Sequence, residues 1–190
     1  TMLMPERQAC APIDRAVLEN LKIFRRLGLF GIDPDDPGSF DAVVRYATEQ
    51  LGRDALPTLW ITPQGRFQDP REAMVVRPGA AAIAASAHTP SVFAIAAEYV
   101  FWDDKKPEML VNVRAVEAPE SGDSMRGWHR EIRGAMREAA DELAQLAIER
   151  DAEAFESLLG GGSGGTFAPY DWFLRLTGRD TGAIRTRRTT

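Results

Sequence analysis

The chain contains 190 residues, of which 44% are hydrophobic and 27% charged, a balance typical of one globular domain with a buried core. With a net charge of −5, the chain lacks the positive electrostatic field that non-specific nucleic-acid binding needs. Its single cysteine and two histidines are too few for a disulfide scaffold or a structural zinc site. With no run of about 20 apolar residues to span a membrane and no charged leader before an apolar block, we expect a cytoplasmic protein.

The first part of the chain predicts helices separated by a short strand. Asp14 is the expected N-cap of a helix whose apolar residues recur at helical spacing, and Gly28 ends that helix. Residues 29–33 form a brief strand that runs into a polar turn. Ser39 is expected to cap a second helix, which ends at Gly52.

The middle of the chain predicts further strands and two helices. Residues 59–62 and 92–100 are apolar at nearly every position, as in strands that helices cover on both faces. A small alanine-rich helix at 80–85 lies between them in the chain. Residues 109–114 alternate as another strand, and 124–150 have the pattern of a long amphipathic helix.

This order of elements predicts an α/β fold with a mixed, mostly parallel sheet flanked by helices and a long C-terminal helix. Residues 1–159 form the main domain. The glycine-rich composition of 160–169 predicts a flexible linker, and the aromatic residues of 170–178 predict a short docking helix. The basic tail at 179–190 is expected to be disordered.

A polar turn follows the strand at 59–62 and carries the most informative residues. Thr62-Pro63-Gln64-Gly65-Arg66 places a flexible glycine beside a cation at the carboxyl end of a strand, which suits an anion such as phosphate. Arg77-Pro78-Gly79 opens a helix, and a helix N-terminus is a second position that favours anions. The alternative interpretation is a plain turn at Gly65 with a solvated Arg66.

Four segments together resemble the glycerophospholipid acyltransferase family, whose best-known members are lysophosphatidic acid acyltransferases. Residues 62–66 are similar to the family's Phe-Pro-Glu-Gly-Thr-Arg-Ser motif, which one subgroup replaces by Phe-Pro-Gln-Gly, and 76–79 are similar to its Phe-Lys-x-Gly segment. Residues 90–94 resemble its Pro-Val-x-Pro-Val strand, and 24–33 resemble its helix ending in Gly-x-Phe-x-Val-Asp-Arg. The resemblance covers residues 4–113.

Three departures from the family pattern accompany this resemblance. The family's catalytic signature is a His, four residues and an Asp, but neither His88 nor His129 has an Asp at that spacing. By spacing, the signature is expected upstream of Thr1, so that the domain lacks its N-terminal part and no catalytic residue lies in this chain. Pro34 stands where many members carry an Arg that contacts the substrate phosphate, and Gln64 replaces a Glu.

The resemblance implies transfer of a fatty acyl group from acyl-CoA or acyl carrier protein to the hydroxyl of a lysophospholipid or a related lipid. In this scheme the missing His is the general base, and Gln64, Gly65 and Arg66 hold the polar head of the acceptor. Arg77 and Gly79 are further substrate-binding residues. No metal or tightly bound cofactor is implied. The expected partners are the acyl thioester, the lipid acceptor and the inner face of a membrane.

Two other classes of function remain open from the sequence. The chain is either an inactive relative that binds lipid or acyl thioester or assists a partner, or an unrelated α/β phosphate-binding or interaction module. Residues 17–30 combine apolar and basic side chains, which is compatible with a membrane surface and with an ordinary core helix. Cys10 is interpreted as a neutral thiol, and His129 as a packing or surface residue.

Overall fold

A computed structural model describes the chain over residues 9–20, 23–33, 36–53, 57–66, 72–88, 90–102, 107–120, 124–159 and 184–187. The chain divides into two compact units. The first unit comprises Thr1–Ser91 and Glu117–Arg133, and the second comprises Val92–Val116 and Gly134–Thr190.

The first unit contains a parallel sheet of three strands. β1 (Ala9–Asp14) lies between β2 (Leu29–Ile32) and β3 (Thr58–Leu59). Ala11 pairs with Leu29, and Cys10 pairs with Leu59. Because parallel strands require crossover connections, helices link their ends and the carboxyl ends of the strands meet at one edge.

The central strand β1 is not among the predicted elements, and the strand predicted at 59–62 is shorter in the structure. Pro12 lies in β1, opposite Phe30 of β2. A proline has no N–H to donate to a ladder and normally argues against a central strand. It is tolerated here because the described pairing of β1 with β3 is confined to Ala9 and Cys10, before the proline.

Two short helices, α1 (Arg15–Asn20) and α2 (Ile23–Arg26), connect β1 to β2. The Asp14 carboxylate accepts a hydrogen bond from the backbone N–H of Ala16 at 2.7 Å, so the predicted cap is confirmed. Gly28 follows α2 with a φ of +86°, and an added Cβ there would overlap the carbonyl oxygen of Ala9. Glycine is therefore required where the chain turns into β2.

The helix α3 (Pro37–Leu51) connects β2 to β3. Its N-cap is Asp36, whose carboxylate accepts from the N–H of Gly38 at 2.9 Å, so the prediction that Ser39 is the cap is wrong. The Ser39 hydroxyl instead donates to the Asp36 carbonyl at 2.9 Å. An aspartate directly before a proline at the first helical position provides the stronger start signal.

The first unit also contains α4 (Gly79–Ser86), which agrees with the alanine-rich helix predicted at 80–85. Four consecutive residues of this helix are buried, Ala81, Ala82, Ile83 and Ala84. Apart from Ile83 its side chains are small, which allows close packing against neighbouring elements, and α3 is one of its neighbours.

The second unit contains a four-stranded sheet in the order β4 (Val92–Val100), β5 (Glu108–Val116), β7 (Ile184–Arg187) and β6 (Phe155–Leu159). β4 and β5 are antiparallel, β5 and β7 are parallel, and β6 and β7 are antiparallel. The mixed α/β class is thus confirmed, whereas the mostly parallel arrangement holds for the first unit alone.

The long helix α5 (Met125–Glu149) agrees with the prediction at 124–150; its residues 125–133 belong to the first unit and 134–149 to the second. Leu143 of this helix, Leu110 of β5 and Phe155 of β6 form the core of the second unit. The Trp102 indole donates to the carbonyl of Ala147 at 3.1 Å and closes the same core at its edge.

Strand β7 corrects one expectation about the tail. Residues 184–187 lie within the segment predicted to be disordered, yet they pair with both β5 and β6. Backbone hydrogen bonds to two neighbouring strands order this segment, although its basic composition predicts disorder. The predicted linker at 160–169 and the docking helix at 170–178 lie outside the described residues.

Strand β4 also differs from the prediction that helices cover both its faces. Phe93, Ile95 and Tyr99 alternate along one face and are exposed, with Tyr99 68% exposed. Their partners on β5 are Ala115, Val113 and Met109. The continuous apolar pattern of 92–100 therefore reflects an open apolar sheet face, which we call the outer face of β4, and not burial on both sides.

Candidate functional site

The predicted glycine turn follows β3 and forms as a hydrogen-bonded turn. The N–H of Gly65 donates to the carbonyl of Thr62 at 3.0 Å. Gly65 has a φ of +66°, in the left-handed region where side chains are strained. The strand leading into this turn is anchored to the sheet, because the N–H of Trp60 donates to the carbonyl of Cys10 at 2.9 Å.

Arg77 lies directly against this turn. Its backbone N–H donates to the carbonyl of Pro63 at 2.8 Å, which holds the segment before α4 beside the turn. A Cβ added to Gly65 would lie 2.9 Å from Nε and 3.0 Å from Cδ of Arg77. The structure thus brings together two residues that are 12 positions apart and that the sequence analysis assigned to one site.

Arg66 lies next to this pair in the chain and is 60% exposed on its side chain. Its guanidinium is 3.6 Å from the carboxylate of Glu72. Exposed ion pairs at this separation contribute little to stability and exchange readily with solvent, so the guanidinium remains accessible to a ligand. Gln64 is half-buried.

Gly79 is the first residue of α4, and the start of that helix has no capping side chain among the described residues. An added Cβ at Gly79 would meet nothing within 4 Å. A close approach of neighbouring atoms therefore does not explain this glycine. α4 begins two residues after Arg77, and the free N–H groups of its first turn lie at the N-terminal end of the helix, which favours negative charge.

His129 is a neighbour of this site that sequence reasoning did not connect with it. Its Nε2 lies 3.0 Å from the carbonyl oxygen of Val76, the residue before Arg77, and it reaches this position from the first part of α5. This contact agrees with a packing role for the ring. The two residues are 53 positions apart, and no local pattern indicates their contact.

A cleft with a volume of about 660 Å³ lies elsewhere in the first unit, along β2 from Leu29 to Gly31. None of the five predicted substrate-binding residues lines it. Its walls come from α1, α2, β2 and the first half of α3, and they include both arginines and carboxylates. Pro34, the other position that the resemblance singled out, lies outside the described residues.

Cys10 lies in β1 and is half-buried. Burial raises the pKa of its thiol, although the nearby Arg53 cation acts in the opposite direction. A thiol with a raised pKa is a poor nucleophile at neutral pH, in keeping with its interpretation as a neutral thiol. In the described part of the chain, no group of histidine, cysteine and acidic residues is arranged to hold a metal ion.

These observations define a mixed α/β protein with an arginine–glycine turn at the carboxyl end of a parallel strand. Comparison with protein-family models, with curated proteins and with solved structures returned no match. Within the described residues, none of the helices has both the length and the apolar composition required to cross a bilayer.

Proposed function

We propose that the chain transfers a fatty acyl group from an acyl thioester to the hydroxyl of a lysophospholipid or a related lipid. One observation carries this proposal: Arg77 lies against Gly65 in the turn after β3, with the accessible guanidinium of Arg66 in the adjacent position. The family resemblance supplies the reaction, and the turn supplies the binding chemistry for the acceptor.

The turn suits a phosphate headgroup for two reasons. Arg66 and Arg77 each offer a planar set of N–H donors that matches two phosphate oxygens, and charge-assisted bonds of this kind are stronger than neutral ones. Gly65 carries no side chain, so the Arg77 side chain packs directly against the turn and brings its guanidinium close to the residue that precedes Arg66. Gln64 adds a neutral amide that donates and accepts hydrogen bonds.

In this proposal the residues of the turn act by positioning. The acceptor hydroxyl attacks the thioester carbonyl, a C–O bond forms, the C–S bond breaks and the thiol leaves with the proton. Holding the headgroup fixes the hydroxyl near the reacting carbonyl, which converts an encounter in solution into a step within one complex. The resemblance assigns the removal of the hydroxyl proton to a histidine–aspartate pair that these 190 residues do not contain at the family's spacing.

We further infer contact with the inner face of a membrane. Ile23, at the start of α2, and Leu27, directly after its end, are 64% and 63% exposed and are close in the chain to the exposed cation of Arg26. Exposed apolar residues beside basic ones favour anionic lipid surfaces. Replacing both apolar residues with serine should release the protein from anionic vesicles in a cosedimentation assay, and unchanged binding would contradict this contact.

A second candidate function is binding of lipid or acyl thioester without chemistry. It is favoured by the position of His129, whose Nε2 is engaged with the Val76 carbonyl. His88, the other histidine, is exposed at the end of α4. Both candidates require the same anion-binding turn, and they differ in whether product forms.

Acyl transfer from palmitoyl-CoA to a panel of lysophospholipids, measured on the full-length protein including the segment upstream of Thr1, tests the proposal. Arg66→Ala and Arg77→Ala should each lower acceptor-dependent transfer by about tenfold or more, because each removes a charge-assisted contact worth roughly 1.5–3 kcal/mol. Hydrolysis of the thioester in the absence of acceptor should change little. Arg53→Ala is the matched control, since Arg53 is also an exposed arginine paired with a glutamate.

The outcomes separate the candidates. Loss of transfer confined to the two site variants supports acyl transfer with headgroup binding. Binding of lysophospholipid by the unaltered protein without product, reduced by the same substitutions, supports the binding function instead. Neither transfer nor binding, or equal effects of Arg53→Ala and Arg77→Ala, would contradict both.

A further inference from the structure

The cleft of about 660 Å³ is separate from the arginine–glycine turn and remains without a role in the proposed function. It lies along the first three residues of β2, Leu29–Gly31, between α1, α2 and α3, and concave sites between packed elements commonly bind ligands. Its shape depends on Gly31 of β2, because a Cβ there would lie 3.3 Å from both Cα of Arg15 and Cδ2 of Leu18. This glycine lets α1 pack closely over the end of β2.

Two arginines line the cleft from different helices. Arg15 lies at the start of α1, and Arg25 lies in α2. Both are exposed, and within the described residues neither has an acidic partner within ion-pair distance. Guanidinium groups without a partner on two walls of one cleft are arranged to hold an anionic group between them.

Two carboxylates line the same cleft. Glu19 is one helical turn after Arg15 on α1, and Asp36 caps α3. Asp36 accepts the N–H of Gly38, so the start of α3 is occupied by its own cap. A small inorganic anion gains nothing from these carboxylates and is repelled by them, whereas a ligand with hydroxyl donors is matched by them.

The third feature of the cleft is aromatic. The rings of Phe30 and Tyr46 are 4.8 Å apart between centroids at an interplanar angle of 57°, and Tyr46 is exposed. Together with Leu18, Leu29 and Val43 they form an apolar wall beside the charged groups. A planar heterocycle gains both apolar contact and ring interactions against such a wall.

We propose that this cleft binds a nucleoside phosphate. The phosphate groups lie between Arg15 and Arg25, the free ribose hydroxyl donates to one of the two carboxylates, Glu19 or Asp36, and the base packs against Tyr46 and its aromatic neighbour. One class of donor for the proposed acyl transfer, acyl-CoA, ends in such a group, an adenosine bisphosphate. The connection to acyl-CoA rests on the proposed function, but the binding of a nucleoside phosphate to the cleft does not, since it requires no acyl group.

Calorimetric titration with adenosine 3′,5′-bisphosphate tests the proposal, with inorganic phosphate and adenosine as separate probes. We expect the bisphosphate to bind at least about tenfold more tightly than either fragment, because charged and aromatic contacts are made together. Arg15→Gln and Arg25→Gln should each weaken binding by about tenfold. Arg137→Gln is the matched control, an exposed helical arginine outside the cleft.

A steric variant keeps the test independent of charge. Ala42 is exposed and lines the cleft from α3, so Ala42→Phe should fill the space and abolish binding while the protein unfolds at an unchanged temperature. If phosphate alone binds as tightly as the bisphosphate, or if the cleft variants bind like the control, the proposal is overturned. Arg77→Ala should leave nucleotide binding unchanged, so the failure of one proposal is distinguishable from the failure of the other.

Discussion

The two units of the chain differ in strand arrangement and in what they present to solvent. The first unit has short parallel strands, and it carries both candidate binding sites, the arginine–glycine turn that follows β3 and the cleft that lies along β2. The second unit has two strands of nine residues in an antiparallel pair and an exposed apolar face. Parallel strands gather polar loops at one edge, whereas an antiparallel hairpin spreads its residues over two faces.

Polar groups of the second unit mainly satisfy one another. Asn112 is buried and donates to the carbonyl of Ala139 and to Glu142, each at 3.1 Å. Arg114 forms ion pairs with Glu138 at 2.9 Å and with Glu142 at 3.4 Å. This network fixes the second part of α5 on β5, whereas the outer face of β4 remains exposed and apolar.

The core of the second unit offers the largest expected effect. Leu110 and Leu143 have relative exposures of 0% and 2%, and Leu→Ala at either should lower the free energy of unfolding by about 2–5 kcal/mol. Denaturant unfolding measures this loss. Ile148→Ala is the control, since Ile148 is 77% exposed. A loss below about 1 kcal/mol for both leucines would contradict the described core.

Alanine substitutions at one glycine in each unit have the next largest expected effects, and these effects have opposite signs. Gly28→Ala in the first unit should lower the free energy of unfolding by about 2 kcal/mol or more, because φ is +86° and the new Cβ overlaps the Ala9 carbonyl. Gly134→Ala, in the part of α5 that belongs to the second unit, should raise the free energy of unfolding by about 0.5–1 kcal/mol, because alanine favours a helix and an added Cβ meets nothing within 4 Å. Thermal melting of both variants measures the difference. Equal shifts would mean that the turn at Gly28 is described wrongly.

Cys10 gives the smallest expected effect. Burial raises the pKa of its thiol, so less thiolate is present at pH 8 and alkylation by iodoacetamide should be slower than for an exposed peptide thiol. The rate should rise as the pH approaches the raised pKa. Arg53→Ala should slow the reaction further, because it removes the cation that opposes the shift. Faster alkylation after this substitution would contradict the account, because it would mean that Arg53 does not lower the pKa of the Cys10 thiol.

Local signals in the sequence predict much of the fold. The cap at Asp14, the glycine stop at Gly28, the bounds of β4 and the length of α5 all follow from side-chain spacing and cap chemistry within a few residues. β1, β6 and β7 were not predicted, since Pro12 interrupts the pattern of β1 and the segments of β6 and β7 show no clear alternation of apolar and polar residues. Their pairing depends on partners far along the chain.

The candidate site likewise has a part that local sequence signals predict and a part that depends on tertiary structure. The turn at Gly65 is predictable because a proline and a glycine directly follow an apolar strand, and the structure confirms it with a positive φ at Gly65. The contact between Gly65 and Arg77 rests on the bond from Arg77 to the Pro63 carbonyl, and the family resemblance suggested the pairing before the geometry did. The cleft was not predicted, because its walls come from several elements whose proximity only the sheet topology establishes.

Hydrogen–deuterium exchange with and without a lysophospholipid tests the central claim most directly, namely that the acceptor binds to the first unit at the arginine–glycine turn. We expect slower exchange in peptides covering residues 57–66 and 72–88 and unchanged exchange in 92–102 and 107–120, and Arg77→Ala should remove the effect. Protection confined to 92–102 would place the lipid on the outer face of β4 and contradict the claim.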